Sequence, residues 1–335
     1  MVLVTGGTGL VGSHLLLHLV RTGTLVRALY RTERTLPKVL KVFGYYADDA
    51  KTLFDQITWV QADILDIPAM ESAFEGVEHV YHAAALISFD PRNFSKLQKI
   101  NGEGTANVVN LCLAHGIKKL CHVSTIGTIG NALNGELANE ETEWAPQHAN
   151  VYAVSKYKAE MEVWRGCQEG LKAVIINPGV ILGPGFWTSG SGKFYEVAFK
   201  EKGFYPPGGT GFVSVDNVVA SMMALMAADI DNERFISVDE NLTYGALLGQ
   251  LARTLGKRPP THQLKYWQLR LVQFFDWCLS PVLGKERRVT ADTIYGLKNR
   301  SDYDNTKLRN SLDIAFVPLD ETLQFSCHCY MKELG

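Results

Sequence analysis

Met1-Val2-Leu3-Val4-Thr5-Gly6-Gly7-Thr8-Gly9-Leu10-Val11-Gly12 is the stretch on which the reading of this chain turns. Its apolar start predicts a short buried strand, and the apolar spacing over 10–20 predicts a helix. Between them lies a glycine-rich turn. Gly6 permits a tight turn, Gly9 permits close approach of a ligand to the backbone, and Gly12 lets the helix pack tightly on the strand. The start of such a helix offers free N–H groups and a partial positive charge. Thr5, Gly6, Gly7, Thr8, Gly9, Leu10, Val11 and Gly12 are therefore candidate contacts of a dinucleotide pyrophosphate.

Outward from this turn the chain alternates. Strands are predicted at 25–30, 57–61, 79–82, 119–123 and 173–176, with helices at 69–74, 101–115 and 152–167. Short apolar strands alternating with helices predict an α/β fold, a Rossmann-type doubly wound parallel sheet with helices on both faces. After Pro178 the pattern changes. Gly183-Pro184-Gly185 and Pro206-Pro207-Gly208-Gly209 are loop signals, 235–238 reads as a strand that returns to the sheet, and the remainder is helical and irregular. The expected division is a dinucleotide-binding domain over 1–178, extended by about 210–240, and a smaller C-terminal substrate lobe over most of 179–335.

Composition narrows the partners. The chain has 335 residues, 46% hydrophobic and 20% charged, with a formal net charge of -2. These values fit an ordered globular chain and carry no basic excess for nucleic acid. Cysteines at 112, 121, 167, 278, 327 and 329 form no disulfide framework, which points to a reducing cytoplasm. Cys327-His328-Cys329 supplies too few ligands for a metal, so none is expected. The N-terminus lacks a basic n-region and reads as a buried strand, and no segment reaches membrane-span length. The aromatic-rich stretch 269–283 reads as an amphipathic helix, either an ordinary packed helix or a substrate lid.

The adenosine end of the cofactor should meet the tip of the second strand, where an arginine would accept a 2′-phosphate. Arg31 and Arg34 stand there, with Glu33 between them, so NADP(H) is favoured over NAD(H). Asp63, beside Ile64, is placed to meet the adenine amino group. His82, Ala83 and Ala84 end the fourth strand, and the small residues leave space for the middle of the cofactor. His82 reads equally as a strand-end histidine capping a backbone group.

Tyr152-Ala153-Val154-Ser155-Lys156 puts a tyrosine and a lysine four apart on one helix face. A free tyrosine titrates near 10, and a neighbouring ammonium stabilises its phenolate. Tyr152 can then move a proton to or from a substrate oxygen, assisted by Lys156, which can also hydrogen-bond the cofactor ribose, so that Tyr152 and Lys156 are candidate cofactor contacts as well. Ser124 and Thr125 end the fifth strand, in the crevice where doubly wound sheets bind ligands.

The chain resembles the extended short-chain dehydrogenase/reductases, which include the NAD-dependent epimerase/dehydratase group. The resemblance rests on 5–12, His82-Ala83-Ala84, Asn101-Gly102-Glu103-Gly104-Thr105, Val123-Ser124-Thr125, 152–156 and Asn177-Pro178 through Gly183-Pro184. It implies a catalytic hydroxyl at Thr125, with Ser124 in reserve, and a supporting role for Asn101. It also places Asn177, Pro178, Gly179 and Val180 beside the cofactor. Asn177-Pro178 stands where many sugar-nucleotide members carry Arg-Pro, which looks more like the dihydroflavonol, cinnamoyl-CoA and aldehyde reductase branch.

The leading expectation is an NAD(P)-dependent oxidoreductase of a carbonyl or secondary alcohol, including a 3β-hydroxysteroid. Phe186, Trp187, Tyr266, Trp267, Phe274, Phe275 and Trp277 supply either an apolar pocket or core packing. The alternatives are a nucleotide-sugar epimerase or dehydratase with tightly bound NAD, and a non-catalytic dinucleotide sensor. Arg270, Lys285, Arg287 and Arg288 would have to hold a nucleotide diphosphate in the former, but read better as surface charges. A homodimer through the helices at 101–115 and 152–167 is compatible with this reading.

Overall fold

The computed structural model describes residues 1–335 except 131, 133–135, 283–286 and 288, and the side chains of 148, 279, 281 and 282. The end of the 269–283 stretch, Lys285 and Arg288 therefore lie outside the described residues.

Twelve strands follow one another among the described residues: β1 (Val2–Thr5), β2 (Val26–Tyr30), β3 (Thr58–Gln61), β4 (His79–His82), β5 (Lys119–Val123), β6 (Ala173–Pro178), β7 (Val180–Leu182), β8 (Phe204–Tyr205), β9 (Gly209–Ser214), β10 (Glu233–Ser237), β11 (Glu240–Thr243) and β12 (His262–Gln263). The helices of the first half are α1 (Leu10–Arg21), α2 (Leu36–Tyr46), α3 (Ala50–Asp55), α4 (Ile67–Phe74), α5 (Phe94–Leu97), α6 (Gly104–Ala114) and α7 (Val151–Gln168). The second half adds α8 (Lys193–Phe199), α9 (Val215–Ala227), α10 (Tyr244–Thr254), α11 (Tyr266–Val282), α12 (Ala291–Lys298), α13 (Thr306–Ser311) and α14 (Leu319–Leu334).

Seven strands form one parallel sheet in the order β10-β6-β5-β4-β1-β2-β3. The order reverses between β1 and β4, so a crevice opens at their carboxyl ends, where ligands of such sheets bind. Both faces are covered, as a parallel sheet of apolar strands requires. One face buries Leu15, Leu16 and Val20 of α1, Phe43 of α2 and Val219 and Met222 of α9. The other buries Met70 and Phe74 of α4, Val108 and Val109 of α6 and Val163 of α7.

The expected return strand is β10, which pairs in parallel with β6 along Glu233 to Ser237. Its outer edge is partly covered by Glu140: the Ile236 N–H donates to the Glu140 carboxylate at 2.8 Å, and Arg234 Nε donates to the Glu140 carbonyl at 3.0 Å. Such cover keeps an edge strand from pairing with a foreign one.

Two parts of the fold were not read from the sequence. Between β2 and β3 lie α2 and α3, of which α2 buries Val39, Val42 and Phe43 at helical spacing. Beyond β6, β11, β9 and β7 form a second sheet over a third core containing Leu182, Tyr195, Leu247, Leu251 and Leu323. The helix expected over 101–115 begins earlier, as a π-helical turn at Gln98–Glu103 that passes into α6. The backbone is close to its neighbour there, since a Cβ on Gly104 would lie 2.5 Å from Ile64. No helix among the described residues is long and apolar enough to cross a membrane.

Candidate active site

The glycine turn joins β1 to α1 at the sheet's switch point. Gly6 has φ +72°, and a Cβ there would lie 2.6 Å from the Ala83 and Ala84 backbone. A Cβ on Gly12 would lie 2.1 Å from the Gly6 carbonyl, so only glycine lets α1 start this close to the turn. Gly7 is a packing glycine, its missing Cβ facing Leu16 at 3.0 Å. Gly9 differs, because a Cβ there would meet only the Gly6 carbonyl, at an ordinary 3.4 Å. Gly9 is also the N-cap of α1 and supplies no side-chain cap. The first N–H groups of the helix thus have no cap, and the turn above them is bare, which fits a pyrophosphate there.

Arg31 and Arg34 are both exposed just beyond β2, Arg34 within a short 3-10 turn. Neither guanidinium makes an ion pair among the described residues. Asp63 is half-buried after β3, and its carboxylate accepts the Leu65 N–H at 3.0 Å, while the Ile64 carbonyl accepts from Asn107 at 3.1 Å.

His82 lies beneath the site rather than lining it. Its ring is fully buried, with Nδ1 2.7 Å from the Thr5 hydroxyl and Nε2 2.9 Å from the Thr105 hydroxyl. Thr105 donates to the Asn101 carbonyl at 2.6 Å, so its oxygen accepts from His82 Nε2–H, and the Thr5 hydroxyl donates to Nδ1. Burial, and then Lys156, push the imidazole down to about 3. It is a neutral strut between β1 and the start of α6. Asn101 also supports the site: its amide clamps the Leu86 backbone through both N–H and C=O, and it donates to the Ser155 hydroxyl at 2.9 Å.

Tyr152 opens α7, whose N-cap Asn150 accepts the Ala153 N–H at 2.9 Å. The Tyr152 ring meets Phe89 edge to face at 5.8 Å, and its hydroxyl makes no hydrogen bond to a described residue. Burial pushes that hydroxyl up to about 12. Lys156, one turn on, sends its ammonium inward, donating to the Val123 carbonyl at 2.8 Å and lying 3.2 Å from His122 Nε2. Burial lowers it from 10.5 to about 8, against the opposing pull of Glu160. The expected lowering of the tyrosine by the lysine is therefore not seen in the protein alone. The ammonium is held by β5, and loss of solvent around the phenol dominates.

The Ser-Thr pair divides. Ser124 is buried and donates to Glu160 at 2.5 Å, so it is no reserve for the substrate hydroxyl. Thr125 is half-buried at the end of β5, its oxygen accepting the Gly127 N–H at 3.2 Å, with a hydroxyl hydrogen still to give. The turn after it abuts α7, since a Cβ on Gly127 would lie 3.3 Å from Ala153 Cβ. The turn that carries Thr125 thereby lies against the first turn of α7, which carries Tyr152.

The Asn177 amide is buried, donating to Glu160 at 2.6 Å, to the Thr128 hydroxyl at 2.9 Å and to the Thr125 carbonyl at 3.2 Å, so its side chain ties β6 to the turn that carries Thr125. Pro178 is the last residue of β6, Val180 begins β7, and Gly179 is packed so closely that a Cβ would lie 2.4 Å from the Gly211 carbonyl. Trp187 packs on Tyr195 and Tyr330 at 5.1 and 5.2 Å, in the third core rather than a pocket. Phe186 is half-buried at φ 57°. Tyr266, Trp267, Phe274, Phe275 and Trp277 are exposed.

Sequence reading missed Glu160, His122 and Arg234. Glu160 gathers Ser124, Thr128 and Asn177 on one oxygen, with the Arg234 guanidinium 3.7 Å from the other. Its place eight residues after Tyr152 and four after Lys156, on one helix face, was a usable signal.

The comparisons agree with this geometry. The description "NAD dependent epimerase/dehydratase family" belongs to a family whose model matches residues 2–234. Sterol demethylase protein B of Methylococcus capsulatus is 29% identical, over 77% of this chain and 75% of that protein. Cinnamoyl-CoA reductase 1 of Oryza sativa is 26% identical, over 78% of each. The crystal structure of gox2253 superposes with a TM-score of 0.81 at 25% identity, covering 99% of this chain and 98% of that one. With the parallel sheet, the bare glycine turn and the family match in agreement, the chain belongs to the NAD-dependent epimerase/dehydratase family and is an NAD(P)-dependent oxidoreductase.

Proposed function

We propose that the chain is an NADP(H)-dependent reductase, or the reverse dehydrogenase, acting on the carbonyl or secondary alcohol of a largely apolar molecule. The observation that carries the reading is that the turn bearing Thr125 abuts the start of α7, with Tyr152 and Lys156, at the carboxyl end of β5, in the sheet whose switch point carries the glycine turn. The nicotinamide supplies or takes the hydride. During reduction Thr125 donates a hydrogen bond to the substrate oxygen, and Tyr152 gives that oxygen its proton. In the reverse direction the tyrosine accepts the proton. Lys156 holds a charge below the tyrosine, and Asn101 keeps the start of α7 in place through Ser155.

The exposed Arg31 and Arg34 support the 2′-phosphate form of the cofactor. The names of relatives that reduce cinnamoyl-CoA or act in sterol demethylation support an apolar substrate. The cofactor half is assigned to 1–178 with the returning 210–240, supported by α9 packing beside α1 and β10 joining β6. The substrate half takes most of 179–335. Six free cysteines support a cytoplasmic setting.

The test is a titration of purified protein with NADPH and NADH, then turnover on a panel of ketones and aldehydes, repeated with Tyr152→Phe. NADPH should bind at least about tenfold more tightly, because a bidentate arginine–phosphate contact exceeds a neutral hydrogen bond. Tyr152→Phe should lower kcat by about a hundred- to ten-thousandfold and leave cofactor affinity unchanged. Tightly retained NAD with no turnover on carbonyl compounds would overturn the reading in favour of an epimerase.

A further inference from the structure

The aromatic helix α11 is held to the body of the protein by a narrow stripe. Leu269 and Ser280 are buried, and Gln273 and Asp276 between them are half-buried, a spacing of one helix face. Much of the rest of its surface is apolar and open to solvent. Tyr266, Trp267, Leu271, Phe274, Phe275 and Trp277 are exposed, with Trp267 and Phe275 each at 58%. Scattered exposed apolar residues are ordinary, but this many on one 17-residue helix make a contiguous patch.

Cationic side chains border the patch. A groove of about 280 Å³ on this helix is lined by Arg270, Gln273, Phe274, Trp277 and Arg287. Arg270 is exposed, and Arg287 Nε is buried without a hydrogen-bond partner among the described residues. Lys265 is exposed at the head of the helix, and the Lys298 ammonium sits 5.2 Å over the Tyr266 ring. The acid on α11, Asp276, is turned back into the protein, accepting the Val289 N–H at 3.1 Å.

We propose that α11 docks this protein onto an anionic membrane surface, with its aromatic side chains in the interface and its arginines on lipid phosphates. Tryptophan, tyrosine and phenylalanine beside arginine and lysine are the composition that such a surface binds. Long cationic side chains lie along apolar matter while their heads reach phosphate. A second copy of the chain fits less well, because a two-fold contact would set the arginine-bearing patch against itself. The docked face adjoins the site: the Arg287 N–H donates to Asp90 at 2.7 Å, in the segment whose Phe89 touches Tyr152 and whose Ile87 is also exposed. Docking there brings the mouth of the site to the bilayer, where amphiphilic molecules reside.

The test uses the full chain and vesicles of phosphatidylcholine, with and without phosphatidylglycerol. Co-sedimentation and tryptophan fluorescence, to which the exposed Trp267 and Trp277 contribute, report binding, and NADPH affinity reports an intact fold. The protein should bind the anionic vesicles, more weakly as salt rises. The Phe274→Ser/Phe275→Ser variant should bind them about a hundredfold less, the cost of losing two large apolar side chains from the interface. Arg270→Gln/Arg287→Gln should bind neutral and anionic vesicles alike. Failure of the wild-type chain to bind, binding with no preference for phosphatidylglycerol, or a serine variant that binds as well as wild type would each overturn the proposal. So would a concentration-dependent dimer that the serine variant abolishes while vesicles remain unbound. These readouts need no turnover, so they stand or fall apart from the carbonyl chemistry.

Discussion

Lys156 is the residue whose surroundings most affect how the site responds to pH. Its ammonium is buried against the Val123 carbonyl and His122, and burial brings it from 10.5 to about 8. The folded state gives up this proton before the unfolded state does. Between about pH 8 and 10.5 the unfolded chain therefore binds more protons, and stability rises with pH across that window. Below it the cost of the buried charge is constant. Lys156→Met removes the titration, so the stability of wild type relative to the variant should rise by about 3 kcal/mol from pH 8 to 10.5. Denaturant midpoints of both proteins across that range measure this, and parallel curves would show that Lys156 titrates normally. His122 opposes the shift, because a hydrogen bond accepted from the lysine favours its charged form. Burial, Lys156 and His82 hold its imidazole well below its ordinary value, so its Nε2 accepts from the lysine as a neutral ring.

At the level of elements, β1, the glycine turn and α1 separate two roles that glycine plays. Gly12→Ala would push a methyl to within 2.1 Å of the Gly6 carbonyl, and the helix would have to move. The expected cost is about 1–3 kcal/mol of stability or more, with loss of cofactor affinity. Gly9→Ala meets nothing closer than 3.4 Å and has φ -93°, so stability should change by less than about 1 kcal/mol. Its methyl would instead occupy the space above the turn, and NADPH affinity should fall at least about tenfold, a difference of ~1.4 kcal/mol. Thermal melts with and without cofactor separate the two substitutions. A Gly9→Ala protein that binds NADPH as wild type does would place the pyrophosphate elsewhere.

Across the whole molecule, the sheet and the C-terminal elements each have a core of their own. Leu323 of α14 is buried among Leu247, Leu251 and Tyr195, away from the seven-stranded sheet. Leu323→Ala should cost about 2–5 kcal/mol. Below the melting transition, NADPH should bind the variant with wild-type affinity, because the glycine turn rests on the other cores. A loss of NADPH affinity larger than the loss of folded protein would mean that the third core sets the cofactor site.

Periodicity and motif spacing determined the alternation of strands and helices that a parallel sheet needs, though not α2 and α3, together with the glycine turn and the place of Tyr152 four residues before Lys156. These are set by the order of residues over short stretches, which local patterns report directly, whereas the strand pairing itself joins residues as far apart as Val2 and His79. The return of β10 was legible too, as an apolar run after a loop. Only the tertiary structure decided which face each polar group takes. Ser124 and Thr125 are neighbours with similar chemistry, yet strand alternation sends one hydroxyl into the Glu160 cluster and leaves the other at the crevice. Glu160 acquires its partners from β5, the turn at 126–128 and β6, which the sequence keeps apart. The same limit applied to the aromatics. Trp187 was read together with Trp267 and Trp277, yet one is packed on Tyr195 and the other two face solvent, because burial depends on what the rest of the chain brings alongside.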